Sequence, residues 1–288
     1  MHIFDIFLLE AVVNGVLLGG ILALLALGLN LIFGVIDVVW ICYAELIMIG
    51  MYSIYYLHNV YHWPLALAFL ACVLLVAALG ALLHVLVIRP VLGAEPINQL
   101  LVTGGVLFFL QAVATLAFGV EFKNVGVNLP AFQVGGMYLS LARLIAFGVA
   151  LAGMVAVYLF LKRSYVGTAI RAISQDRGIM PLMGVNPNRI FVLTSALGGA
   201  LAGLAACLLV LQYDIHPAIG LSFGPITFLV CVLGGLGNMI GGFIAAFIFA
   251  QFISVGGYFL ALEWGYVLAF LFFIGMMFWR PQGLLGGK

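Results

Sequence analysis

Apolar residues run almost unbroken through 11–36, 38–57, 65–88, 100–118, 141–161, 190–212, 222–236, 238–258 and 264–280, with short polar stretches between them. A bilayer core is crossed by about 20 helical residues, so all but one of these runs predict a membrane-spanning helix. The exception, 222–236, is short for a crossing and predicts part of a broken or re-entrant helix, which protein or a water-filled cavity must cover. The pattern predicts an all-α integral membrane protein, a polytopic helical bundle of about eight to ten segments with broken helices. Residues 1–288 are expected to form a single transmembrane domain.

One polar stretch stands apart. Lys162 to Arg189 reads KRSYVGTAIRAISQDRGIMPLMGVNPNR and carries Lys162, Arg163, Arg171, Arg177 and Arg189 against one acid, Asp176. The positive-inside rule places it in the cytoplasm. Residues 119–140 and the N-terminus then lie outside, and the loop holding Arg89 lies inside. Arg280 and Lys288 call for a cytoplasmic C-terminus, so three crossings come after 190–212. Within the stretch, Ala169–Ile173 predicts a short helix, and Gly178, Pro181, Gly184 and Pro187 break the chain beyond it. Such a segment suits a docking surface, and equally a basic loop resting on anionic lipid heads.

Composition narrows the possibilities. Hydrophobic residues make up 66% of the chain and charged residues 7%, which leaves no room for a soluble catalytic domain. A net charge of +1, with its basic residues at one membrane face, excludes a nucleic-acid partner. The opening MHIFDIFLLE has no Lys or Arg, so it lacks the positive start of a secretory signal and its helix is expected to stay. Cys42, Cys72, Cys207 and Cys231 lie in apolar runs and are expected to pack as small hydrophobes. His58 and His62 have helical spacing but no third ligand, and Tyr61, Trp63 and Pro64 beside them mark a membrane interface. No nucleophile–base order and no metal motif is visible, so no cofactor, no metal and no enzyme chemistry is expected.

Glycine is the second signal. Most glycine pairs are expected to let helices pack closely. Leu233 to Gly242 is different, with five glycines in ten positions, and predicts unwound backbone beside a solute pathway. Leu18–Ala26 also echoes Leu197–Ala205, and the two would run in opposite directions, as inverted repeats do.

Carboxylates at membrane depth are costly and are candidates for function. Glu45 has apolar neighbours on every side, whereas Asp37 sits at a helix boundary as an expected N-cap. For Glu45 two roles stand open, a place in the pathway or a bond to a neighbouring polar group. Asn30, Thr103, Thr194, Ser195 and Thr227 are expected to bond between helices.

The ordered motifs resemble the membrane subunits of branched-chain amino-acid ABC importers over nearly the whole chain. They are Gly15–Gly28, Gly34-Val35 with the Glu45 region, Ile88-Arg89-Pro90-Val91-Leu92-Gly93 and Leu101–Gln111. Further along are Gly167-x3-Arg171-Ala172-x3-Asp176 with Gly184-Val185-Asn186, Val232–Asn238 and Arg280–Gly286. The resemblance implies a bacterial inner-membrane permease that pairs with a second, similar permease. It implies two cytoplasmic ATPases and a periplasmic or extracellular solute-binding protein as further partners. It makes Arg163, Gly167, Arg171, Ala172, Ser174 and Asp176 the ATPase-coupling residues. It places the substrate pathway at Tyr43, Glu45, Thr103, Gly234, Gly235, Gly237 and Asn238. No Walker A sequence occurs, so ATP hydrolysis falls to separate chains.

Two departures matter. Many members carry Asn-Phe-Ala-His-Gly-Glu where this chain has Trp40-Ile41-Cys42-Tyr43-Ala44-Glu45, a bulkier and more apolar wall. Urea, short amides and aromatic acids stay open as solutes beside leucine-like ones. Gly178-Ile179-Met180-Pro181 replaces an alanine-containing continuation and bears on local helix length. Tyr43 is expected to narrow the pathway and Glu45 to hold nearby polar groups. An ion-coupled secondary transporter or channel is the alternative class.

Overall fold

The computed structural model describes residues 3–127, 130–134, 136–176 and 180–286. The apolar runs fold as α1 (Ile3–Ile36), α2 (Tyr43–Tyr55), α3 (Leu65–Leu83), the short α4 (Arg89–Val91), α5 (Pro96–Phe118) and α6 (Leu141–Arg163). After them come α7 (Tyr165–Gln175), α8 (Pro187–Leu209), α9 (Ile219–Gly234), α10 (Met239–Phe259) and α11 (Leu262–Trp279). Wider π turns extend α2 through Tyr56–Val60 and join α3 to α4 through His84–Ile88. An antiparallel hairpin, β1 (Ala131–Val134) with β2 (Met137–Ser140), leads into α6. Six described helices are long and apolar enough to cross a membrane, so the chain is an all-α polytopic membrane protein. Arg177, Gly178, Ile179 and Lys288 lie outside the described residues.

Hydrogen bonds sort the helix ends into two groups. At one end the Asn30 amide, near the close of α1, accepts from Gly237 N–H through Oδ1 at 3.1 Å. There, too, Leu284 N–H donates to the Leu233 carbonyl at 2.7 Å. At the other end Ser254 on α10 donates to Ala11 at 2.6 Å, and Asn124 donates to Asp214 at 2.7 Å. Lys123 is fixed at this second end, donating to the Tyr56 hydroxyl at 3.0 Å with the Tyr55 and Tyr56 rings 5.3 and 5.0 Å away. The first is the α7 end and the second the hairpin end. Arg89, Lys162, Arg163, Arg171, Arg189 and Arg280 sit at the α7 end, whereas Lys123 and Arg143 sit at the hairpin end.

α1 is the central element, packed on α6, α8, α9 and α10, while α3 and α2 lean on α8 and α11 on α10. Glycine sets the closest seam. A Cβ at Gly199 on α8 would meet the Val76 carbonyl of α3 at 2.6 Å and the Gly80 Cα at 3.2 Å, so the two backbones touch with no side chain between them. α1 and α8 pack antiparallel, since Gly28 faces Leu201 and Gly198 faces Ile32.

The 222–236 run is short in the structure too, ending at Gly234, and a second break lies where the sequence indicates none. Run 222–236 belongs to a continuous helix, α9, which carries Pro225 inside it. That second break falls in 38–57, where residues 37–42 are non-helical and α2 begins only at Tyr43. With its π extension α2 runs from Tyr43 to Val60, and at no more than about 1.5 Å per residue it is about 27 Å long, just short of a full crossing. Asp37 is not an N-cap. It turns the chain out of α1 with φ +60°, and α2 takes Cys42 at its cap position without a side-chain bond.

Candidate functional site

The non-helical residues 37–42 carry the chain from the end of α1 to the bundle centre, so α2 starts inside the protein. Tyr43, its first residue, donates its hydroxyl proton to the Gly198 carbonyl at 3.2 Å. Gly198 is the midpoint of the 23-residue α8, which sets Tyr43 near mid-depth. The Tyr43 hydroxyl fits where Gly28 lacks a side chain, and Trp40 meets its ring edge-on with centroids 6.4 Å apart.

Glu45 lies in the first turn of α2 with none of its surface exposed. Its carboxyl group rests on Gly220 in the first turn of α9, where a Cβ would meet Glu45 Oε1 at 2.5 Å. Two helix starts therefore converge on it, and their partial positive charge favours an anionic group. Among the described residues neither carboxyl oxygen has a hydrogen-bond partner. The expectation that Glu45 holds nearby polar groups is not met: it touches a glycine backbone instead.

Thr103 joins this neighbourhood. It is buried on α5, and its Oγ1 lies 3.1 Å from the Val39 carbonyl and 2.9 Å from that of Gln99. The first contact ties α5 to the non-helical residues, and the second returns its proton to its own helix. Beside them is a cavity of about 230 Å³ lined by Leu29, Trp40, Tyr43, Leu107, Gly220 and Phe228. The lining is apolar apart from the Thr227 hydroxyl, which donates to Phe223 at 2.7 Å.

Gly234, Gly235, Gly237 and Asn238 do not join Tyr43 and Glu45. Only residues 235–238 leave the helix, as a tight turn between α9 and α10 at the α7 end, while Gly241 and Gly242 are helical. Gly235 and Gly237 have φ of +101° and +81°, which side chains resist. The turn's polar groups are used internally. Asn238 caps α10 by accepting from Gly241 N–H at 2.9 Å and donates to the Leu285 carbonyl at 2.7 Å.

The turn lies instead beside the coupling residues. α7 is short and two-faced: Gly167, Ala169, Ile170 and Ile173 are buried, while Thr168, Arg171, Ser174 and Gln175 face out. Ser164 caps it, accepting from Gly167 N–H at 2.9 Å. Gly167 has no room for a side chain, because a Cβ would meet the Phe160 carbonyl at 2.5 Å as α7 folds back on α6. Arg171, Ser174 and Lys162 share a cleft with Gly237 and Asn238, and Ser174 and Asp176 share another with Gly34 and Asp37. Arg163 ends α6 exposed, and Ala172 is half-buried.

Other residues proved structural. His84 and Ser195, 3.0 Å apart, form a buried pair between α3 and α8. The four cysteines are buried thiols. His58 Nδ1 bonds the Trp63 carbonyl at 2.9 Å, and no group of three metal-binding side chains occurs among the described residues.

This bundle, with one helix starting inside it and a short two-faced helix docked at one end, belongs by its relatives to the class of transport permeases. The chain belongs to the family described as branched-chain amino acid transport system / permease component, whose model matches residues 11–277. It is 30% identical over 293 residues to the high-affinity branched-chain amino acid transport system permease protein BraD of Pseudomonas aeruginosa, covering 96% of this chain and 95% of that one. It is 28% identical over 300 residues to the permease protein LivH of Escherichia coli K12, covering 98% and 96%. The permease protein LivM of the same organism is 27% identical over 290 residues, covering 91% of this chain and 67% of LivM. Among solved structures, PsaBC from Streptococcus pneumoniae in complex with Fab aligns over 98% of this chain and 93% of that chain, at TM-score 0.44 and 16% identity.

Proposed function

We propose that this chain is one of two similar permease subunits of a binding-protein-dependent ABC importer in the bacterial inner membrane. It takes up a branched-chain amino acid or a related small solute, driven by two separate ATPases. The observation that carries this reading is α7: a short helix with a buried apolar face packed on α6, α1 and α8, and an outward face of Arg171 and Ser174 that lines a cleft with Gly237 and Asn238. Likeness to both LivH and LivM of one organism supports pairing of two related permeases. The basic residues at the α7 end support its placement in the cytoplasm.

The mechanical route runs through the contacts. Motion of α7 passes to α1, on which it packs and whose Gly34 backs onto Gly237, and so to the glycine turn; the turn moves α9, and α9 carries Gly220 away from Glu45. Separation of α2 from α9 opens the Tyr43 cavity and exposes the Glu45 carboxylate to the solute's ammonium group. Such closure and release are a biased two-state equilibrium, shifted by whatever binds α7 differently in its two positions. In this scheme Thr103 holds the non-helical residues as α2 moves, and Asn238 keeps the turn rigid.

The test is uptake of labelled L-leucine into proteoliposomes holding this chain with the second permease, ATPases and binding protein encoded beside its gene. Uptake that requires ATP, persists with the proton gradient collapsed and is competed by valine and isoleucine supports the proposal. Competition by urea, short amides or aromatic acids instead reassigns the solute. Uptake that survives ATP depletion with the gradient intact makes the chain an ion-coupled transporter.

A further inference from the structure

At the hairpin end, away from Tyr43 and Glu45, a cleft of about 400 Å³ lies between α1, α6, α10 and α11. That volume falls within the roughly 300–1,000 Å³ usual for small-molecule sites. Two opposite charges line it, Glu10 on α1 and Arg143 on α6. They are not bonded to one another. Arg143 Nη1 donates to Asn14 Oδ1 at 2.7 Å, and Glu10 Oε2 accepts from Tyr138 N–H at 3.4 Å. Each partner uses a small part of what these groups offer, since a guanidinium has five N–H donors and a carboxylate four acceptor positions. The polar rim gives way to an apolar floor at Leu18 and Ile253. Leu18 is two turns further along α1 than Glu10, about 12 Å deeper toward the membrane centre.

We propose that this cleft binds a small zwitterion bearing an apolar group, with the ligand's anionic group on Arg143, its ammonium on Glu10 and its apolar part on Leu18 and Ile253. The arrangement discriminates by charge. An anion alone would leave Glu10 unmatched and a cation alone would leave Arg143 unmatched, whereas a zwitterion satisfies both. Because the cleft opens at the end opposite α7, it would receive ligand from the far side of the membrane. Two sources share this chemistry, a free α-amino acid and a zwitterionic lipid headgroup. The choice of leucine as probe rests on the importer reading, whereas the charge pattern does not.

The experiment is equilibrium binding to the purified full chain in nanodiscs of phosphatidylglycerol, without ATP. The probes are L-leucine, L-leucinamide, which lacks the carboxylate, and 4-methylpentanoate, which lacks the ammonium. Arg143→Gln should weaken leucine and 4-methylpentanoate about tenfold or more and leave leucinamide unchanged, while Glu10→Gln should weaken leucine and leucinamide and leave 4-methylpentanoate unchanged. Phe108→Ala, on the exposed face of α5 and outside both sites, should change none of the three. Retained binding of the unaffected probe shows that each variant is folded. If leucine fails to bind, phosphatidylethanolamine added to the discs should be retained by the parent chain and lost by Arg143→Gln, which identifies the headgroup source. Equal effects on all probes, or no binding of either zwitterion, overturns the proposal. A normal binding pattern without ATP-driven uptake would sink the importer reading alone.

Discussion

Replacing Glu45 by methionine separates two roles that the same residue could serve. Methionine keeps the length of the side chain and removes both carboxyl oxygens, which are buried without a partner among the described residues. A buried polar group without a hydrogen bond costs about 1–3 kcal/mol, more if charged. The starts of α2 and α9 offset part of this, at about 0.3–1 kcal/mol per helix for a nearby anion. With two helix starts the offset is about 0.6–2 kcal/mol, so at the middle of both ranges Glu45→Met should stabilise the fold by roughly 1 kcal/mol. Thermal unfolding in detergent, followed by tryptophan fluorescence, should move upward by a few degrees, at roughly 2–4 °C per kcal/mol. Glu45→Gln keeps an unsatisfied amide and should gain little. In the same preparations leucine uptake should fall at least tenfold in Glu45→Met, because the group that meets the solute's ammonium is gone. A Glu45→Met chain that unfolds earlier than the parent would refute the reasoning, since the carboxylate would then hold the fold. Uptake equal to the parent's would remove Glu45 from the pathway.

Gly199→Ala places a methyl group against the Val76 carbonyl and the Gly80 Cα, backbone atoms that cannot turn aside. It should cost about 1–3 kcal/mol, read as a lower melting temperature, whereas Gly104→Ala, with nothing within 4 Å of its Cβ, should melt as the parent does. Lys123→Met removes a hydrogen bond to Tyr56 and the cation lying over the Tyr55 and Tyr56 rings. About 1–2 kcal/mol should be lost locally, and protease cleavage within residues 119–127 should quicken while α8 stays protected.

How far the sequence could be read depends on the kind of signal each element carries. Long apolar runs announce spans because length alone decides them, and α7 announced itself by its charge, its helix formers and the breakers after it. Residues 37–42 did not, since a uniformly apolar run has no period to tell helix from extended chain. A signal was present in Val38-Val39-Trp40-Ile41, a β-branched and aromatic cluster that disfavours helix. The glycine run fixed the position of a break but not its purpose, because positive φ serves a tight turn as well as a solute site. Its partners, Asn30 on α1 and Leu284–Leu285 near the C-terminus, are distant in sequence. Glu45 stood out by cost, but its solitude depends on Gly220, 175 positions later, and no local pattern encodes that. The hairpin-end cleft was illegible for the same reason: Glu10 and Arg143 are ordinary boundary charges until α1 and α6 bring them together.

Site-specific crosslinking of α7 tests the central claim most directly. Single cysteines at Arg171 and Ser174, both exposed on α7, would be placed in the assembled complex in native membranes with a short bifunctional reagent. Both should join to the ATPase, with a yield that changes when ATP is trapped, while a cysteine at the exposed Phe108 on α5 should not. Crosslinks from α7 only to lipid or to the second permease, with none to the ATPase under any nucleotide condition, would contradict the claim.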